Sequence, residues 1–139
     1  DLKRNFHHLF DKGWHNNDHA IALALGNVDS NKWGIVNKHE KRILDSFEAK
    51  TNSEFGAFFT SSSIKYAYVY NNMLKGRKDP VFAAATGGVI NDLDRMMQVL
   101  YLVDSMSGKW DRRKWFENLR LRLLYGVEVE LVELIQIPQ

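Results

Sequence analysis

Apolar residues recur at three- and four-residue spacing along most of this chain, the pattern of helices with one buried face. Phe6, Leu9 and Phe10 predict a helix over 2–12, ended at Gly13. Asn17 and Asp18 are placed to cap a helix through Ala20 to Leu25, with Gly26 as its stop. Residues 27–34 read as loop. Asn37 to Lys50 is amphipathic, with Ile43, Leu44 and Phe47 inward and Lys38, Lys41 and Arg42 outward. Thr60 to Ser63 supply N-caps for a helix over 64–74 that Gly76 ends. Asp79-Pro80 combines an N-cap with proline at the first helical position, opening a short helix that ends at Gly87-Gly88. The longest clear helix follows, from about Asn91 to Met106. Asp111 caps another through Tyr125, and Gly126 separates it from a last amphipathic stretch, Glu128 to Ile135. Tyr66 to Tyr70 is rich in β-formers, but its neighbours cap and end a helix. The fold class is therefore all-α: a single compact bundle of about seven helices over 1–139.

Composition narrows the picture. The chain of 139 residues is 45% hydrophobic and 26% charged, values of one globular domain with a single core. It has no cysteine, so neither disulfides nor thiolate metal sites arise. That fits a reducing, cytoplasmic setting. No apolar run approaches the roughly 18 residues that span a bilayer, and no signal-peptide pattern is visible, so no membrane is expected. A net charge of +2 is too mild to announce nucleic-acid binding, so any basic surface must come from local arrangement. The chain begins at Asp1 and ends in an amphipathic run that closes no domain, the features expected of a module from a larger protein.

The Asn91–Met106 helix carries the functional argument. At 100° per residue, Leu93, Met96, Met97, Leu100 and Val103 gather on one side as a core face. Asn91, Arg95, Gln98 and Leu102 lie opposite. An arginine, an amide and an apolar side chain in file make a rail for single-stranded nucleic acid: arginine pairs phosphates or stacks on bases, and an apolar group packs on a base face. The structural alternative is a central helix buried nearly all round, with Leu102 in the core and Arg95 paired to Asp92 or Asp94. The pattern alone leaves both open.

Three blocks of sequence resemble a known family. They are Ser63-Ile64-Lys65-Tyr66-Ala67 with Met73-Leu74; Gly87 followed by Asp92-Leu93-x-Arg95; and Arg122 to Ile137, with Gly126-Val127 and Glu130-Leu131-x-Glu133-Leu134. In this order they are similar to the ratchet domain of archaeal-type superfamily-two DNA repair helicases, relatives of the polymerase theta helicase. The likeness runs from about Ala20 to Ile137, which leaves 1–19 to be read as a remnant of a preceding domain. No block is a catalytic motif. The resemblance implies a ratchet helix crossing the channel for the translocating strand, with an Arg and, two turns later, a Trp on the bases. The Arg falls on Arg95 and the Trp position on Leu102. Leucine wedges but does not stack as an indole does, so contact there is expected to be weaker. Tyr101 is adjacent but points about 100° away. Asn91 stands where the family has its second glycine, and Asn tolerates positive φ.

Other constellations are weaker. No Gly-x-x-x-x-Gly-Lys-Ser/Thr loop occurs, so the chain itself is expected to hold no cofactor; the resemblance assigns ATP and Mg to motor domains upstream in a parent helicase. His15 and His19 stand at i, i+4, a metal-compatible spacing, but the polar Asn16-Asn17 and Gly13 disfavour a helix there and no metal is expected. No Gly-x-Ser-x-Gly nucleophile elbow is present. Lys109, Arg112, Arg113, Lys114, Arg120 and Arg122 form the strongest basic series, interleaved with Trp110, Trp115 and Phe116. It reads either as a phosphate-contacting patch, with Arg112 and Arg113 as contacts, or as the wet side of a helix whose aromatics pack with Leu119 and Leu123. Glu128 and Glu130 read as a solvated face, and Trp14 and Trp33 as packing residues under loops.

The expected function is thus a non-catalytic, single-stranded-DNA-guiding module of an ATP-dependent DNA helicase, intracellular and associated with the nucleoid. Its DNA contacts would be Asn91, Arg95, Gln98, Leu102, Arg112 and Arg113. Its partners would be single-stranded DNA, the upstream motor and a downstream helix-hairpin-helix domain. The competing expectation is a helical protein-interaction or regulatory module that binds no nucleic acid.

Overall fold

The computed structural model of the chain describes residues 10–29, 36–55, 60–106 and 113–126. Five α-helices lie among them: α1 (Asp18–Asp29), α2 (Lys38–Phe55), α3 (Ser61–Leu74), α4 (Ala83–Met106) and α5 (Arg113–Tyr125). Short 3-10 turns precede α1 at Trp14–Asn16 and α4 at Pro80–Phe82. No strand occurs among the described residues, so the all-α reading stands. The helices expected over 2–12 and 128–135 fall largely or wholly outside them. The described residues divide into two compact units, the first up to Asn71 and the second from Asn72.

In the first unit, α1 is buried on every side. Every residue from His19 to Gly26 is buried, as an alanine- and leucine-rich helix with no polar stripe must be. The Asn17 side-chain oxygen caps it, accepting from the backbone N–H groups of His19 at 3.0 Å and Ala20 at 3.3 Å. Gly26 does not stop this helix, contrary to the sequence reading; α1 continues through it to Asp29. The glycine serves packing instead. A Cβ there would lie 2.5 Å from the Ala67 nitrogen and 2.7 Å from the Ser63 carbonyl oxygen, so α1 and α3 cross backbone to backbone at this point.

Helix α2 opens with a reciprocal capping box. The Glu40 N–H donates to Asn37 Oδ1 at 2.8 Å, and the Asn37 N–H donates to Glu40 Oε1 at 3.0 Å. Leu44, Phe47 and Thr51 are buried while Lys38, Lys41 and Arg42 are exposed. The Thr60 hydroxyl caps α3 by accepting from the Ser63 N–H at 3.1 Å.

In the second unit, α3 ends in a Schellman motif. Gly76 has φ 67°; its N–H donates to the Met73 carbonyl at 3.2 Å, and the Arg77 N–H to that of Asn72 at 2.8 Å. Helix α5 ends in the simpler left-handed cap, with Gly126 at φ 62° donating to the Arg122 carbonyl at 2.7 Å. Asp79 starts the Pro80–Phe82 turn as anticipated, its carboxylate accepting from the Val81 N–H at 3.0 Å.

The sequence reading of a helix break at Gly87-Gly88 is corrected: α4 is one helix of 24 residues that runs straight through both. Two glycines cost a helix about 2 kcal/mol against alanine. The buried side chains of Phe82, Val89 and Leu93 on either side offset that cost, at about 1.5–3 kcal/mol for each large apolar chain removed from water. This fusion is one reason the described helices fall short of the anticipated seven.

Candidate nucleic-acid interface

Helix α4 has two clearly different sides. Val89, Leu93, Met96 and Met97 are buried, and Gly87, Asn91, Asp94, Arg95 and Gln98 are exposed. At 100° per residue, Asn91, Arg95 and Gln98 fall within about 60° of one another, so they form a continuous polar stripe. The buried-all-round alternative for α4 does not hold at these positions. Position 102 is on the same stripe of the α4 backbone, but the side chains from Val99 on, those of Leu100, Tyr101, Leu102 and Val103 included, lie outside the described residues. Arg112 lies outside them as well, as do Trp33, Lys109, Trp110, Asp111, Glu128 and Glu130. Arg113 begins α5, and its side chain is likewise outside them.

The electrostatics of the stripe are set by two ion pairs. Arg95 Nη2 sits 3.6 Å from Asp92 Oδ2, one turn back on the same helix, with the arginine side chain 57% exposed. This is a loose, solvated pair, worth a few tenths of a kcal/mol at most. Asp94, which is nearest to Arg95 in sequence, is engaged elsewhere: its Oδ1 accepts from Arg120 Nε of α5 at 2.6 Å. With two carboxylates and two guanidiniums, the stripe and its borders are close to charge-neutral. The Arg95 side chain stays more exposed than buried.

The basic series of α5 separates in the structure. Lys114 is exposed, and Arg120 is committed to Asp94. Arg122, read as part of a wet face, is instead buried at 7% exposure, with Nη2 donating at 3.5 Å to the Leu74 carbonyl at the end of α3. A cation at a helix C-terminus is favoured by the helix dipole, and the exposed carbonyls there require donors. Arg122 thus braces the ends of two helices. Phe116, Leu119 and Leu123 form the buried face of α5, as anticipated, with Trp115 edge-on to Phe116 at 4.9 Å between ring centres.

Elsewhere the singled-out groups are structural. His15 lies in the 3-10 turn, stacked on Phe10 at 4.9 Å, while His19 lies in α1. His19 is buried, stacked on Phe47 at 4.6 Å with Nε2 2.8 Å from Thr51 Oγ1. The Thr51 hydroxyl itself donates to the Phe47 carbonyl at 2.9 Å. The imidazole Nε2–H is therefore the donor to Thr51. The two rings belong to different elements and face different partners. Trp14 packs edge-on against Phe55. Of the block Ser63 to Ala67, Ser63 and Ala67 face Gly26, and Lys65 reaches Glu40 Oε2 at 2.9 Å. Burial pushes the Glu40 carboxyl up, but the Asn37 N–H, the Lys65 ammonium and His39 outweigh it and hold the pKa below its ordinary value.

Sequence reasoning missed the Asp94–Arg120 pair. Its partners stand 26 residues apart on different helices, so no i, i+3 or i, i+4 signal marks it. No protein-family model, curated protein or solved structure matches the chain.

Proposed function

We propose that this chain is a single-stranded-nucleic-acid-guiding helical module of the kind that accompanies helicase motors, with α4 as the helix that meets the strand. One observation carries the reading: Asn91, Arg95 and Gln98 form an exposed polar file on a helix whose opposite side is core, and Arg95 is only loosely paired. The module would do no chemistry. ATP and Mg would act in motor domains, and a helix-hairpin-helix domain would receive the strand. Arg95 would grip by phosphate pairing or base stacking, Gln98 would hydrogen-bond to base edges, and Leu102 would wedge.

A protein-docking module is the second reading, favoured by Ile90, an apolar side chain of α4 that is 46% exposed. Titration of labelled single-stranded and duplex DNA at low and moderate salt separates the two. The guiding module prefers single strands, binds more weakly as salt rises, and loses about tenfold in affinity on Arg95→Ala. A docking module shows no nucleic-acid signal at any salt.

A further inference from the structure

The second unit holds a cationic cluster that the stripe on α4 does not use. Lys75, Arg77 and Lys78 follow the end of α3, and all three are exposed. Among the described residues none of the three has an ion-pair partner. They are not needed to finish the helix. The Gly76 and Arg77 N–H groups already satisfy the Met73 and Asn72 carbonyls, and buried Arg122 donates to that of Leu74. Three cations within four residues, with Asp79 the one carboxylate beside them in sequence, leave a local excess of positive charge that attracts a polyanion.

The fold brings an exposed aromatic residue near this segment of the backbone. A Cβ on Gly76 would lie 2.5 Å from the Gly126 carbonyl oxygen, and one on Gly126 would lie 2.9 Å from the Gly76 Cα. The ends of α3 and α5 therefore cross backbone to backbone, and the residues flanking the two glycines are neighbours. Tyr125 flanks Gly126 and is 61% exposed, the most exposed large apolar side chain among the described residues. Its neighbour Leu124 is 38% exposed.

We propose that the Gly76–Gly126 crossing is a second contact site for single-stranded nucleic acid, with Lys75, Arg77 and Lys78 pairing consecutive phosphates and Tyr125 stacking on a base. Cations with an adjacent solvent-facing ring are the two elements that sequence-tolerant single-strand binding requires. A lipid surface fits less well: among the described residues here only Leu124 and Tyr125 expose large apolar side chains, whereas interfacial binding needs a broad apolar face buried into the acyl boundary. The crossing shares its partner class with the α4 stripe but none of its residues. It supplies the electrostatic anchor that a charge-balanced stripe lacks.

The test is anisotropy titration of the full chain with an oligothymidine of about 16 nucleotides across a salt series. The variants are Lys75→Ala/Arg77→Ala/Lys78→Ala, Tyr125→Ala, Tyr125→Phe and Arg95→Ala, with thermal unfolding as the folding control. The triple variant is expected to bind at least about tenfold more weakly, with a log–log salt slope shallower by about two, as loss of three phosphate contacts dictates. Tyr125→Ala loses about tenfold and Tyr125→Phe retains binding. The site stands if the triple variant weakens binding, whatever Arg95→Ala does. It is overturned if the folded triple variant keeps wild-type affinity and slope, or if the wild type binds no oligothymidine.

Discussion

Arg120 of α5 donates through Nε to the Asp94 carboxylate of α4 at 2.6 Å, one position along the helix from Arg95. Both side chains are substantially exposed, at 42% and 70%, so the pair contributes less than about 1 kcal/mol to stability. Its larger consequence is electrostatic, since it neutralises a carboxylate on the border of the Asn91–Arg95–Gln98 stripe.

Arg120→Ala is therefore expected to lower single-strand affinity by about threefold while changing the unfolding free energy by less than about 1 kcal/mol. Adding Asp94→Asn restores the affinity, because the uncompensated charge is gone. Paired binding and urea-unfolding curves on the single and double variants check this.

Two glycines inside helices should respond in opposite directions. At Gly87 an added Cβ meets nothing within 4 Å, so Gly87→Ala is expected to stabilise by about 0.5–1 kcal/mol. At Gly26 the Cβ would meet the backbone of α3, and Gly26→Ala is expected to destabilise by about 1–3 kcal/mol. Urea midpoints of the two variants decide it.

The Glu40 carboxyl titrates below its ordinary value in the folded chain. As pH falls below the ordinary glutamate value, about 4.3, the unfolded chain takes up the proton first. The stability contributed by Glu40 is complete above that value and is lost as pH falls through the lower, folded pKa. Glu40→Gln should lose stability at neutral pH and show a flatter decline in acid, measured as urea midpoints across a pH series.

Thr51→Val removes the acceptor of the buried His19 Nε2–H. It is expected to cost about 1 kcal/mol, the contribution of one buried hydrogen bond. Imidazole nitrogen shifts of the wild type should report a proton on Nε2.

The features legible in the sequence were those governed by local chemistry. Asn17, Thr60 and Asp79 act as caps because a short polar side chain reaches the free N–H groups of its own helix start. The faces of α2, α4 and α5 followed from the helical period. What failed needed tertiary information. Gly26 and Gly87 resemble helix stops by residue type, but burial of their neighbours carries the helix through, and only the approach of Ala67 reveals the purpose of Gly26. Arg122 resembles its exposed basic neighbours, and its burial follows from the α3 carbonyl opposite it. Of the candidate site, the Asn91–Arg95–Gln98 file was readable, whereas the cross-helix Asp94–Arg120 pair and the Gly76–Gly126 crossing were not.

The most direct test of the strand-guiding account is nitrogen-resolved NMR of the full chain titrated with oligothymidine, following the Arg95 Nε–H and the Gln98 side-chain amide. The account predicts that both signals shift in a saturable manner while the buried His19 imidazole stays fixed. If those two signals remain in place at oligonucleotide concentrations that saturate binding, or if no oligonucleotide binds, then α4 does not meet the strand.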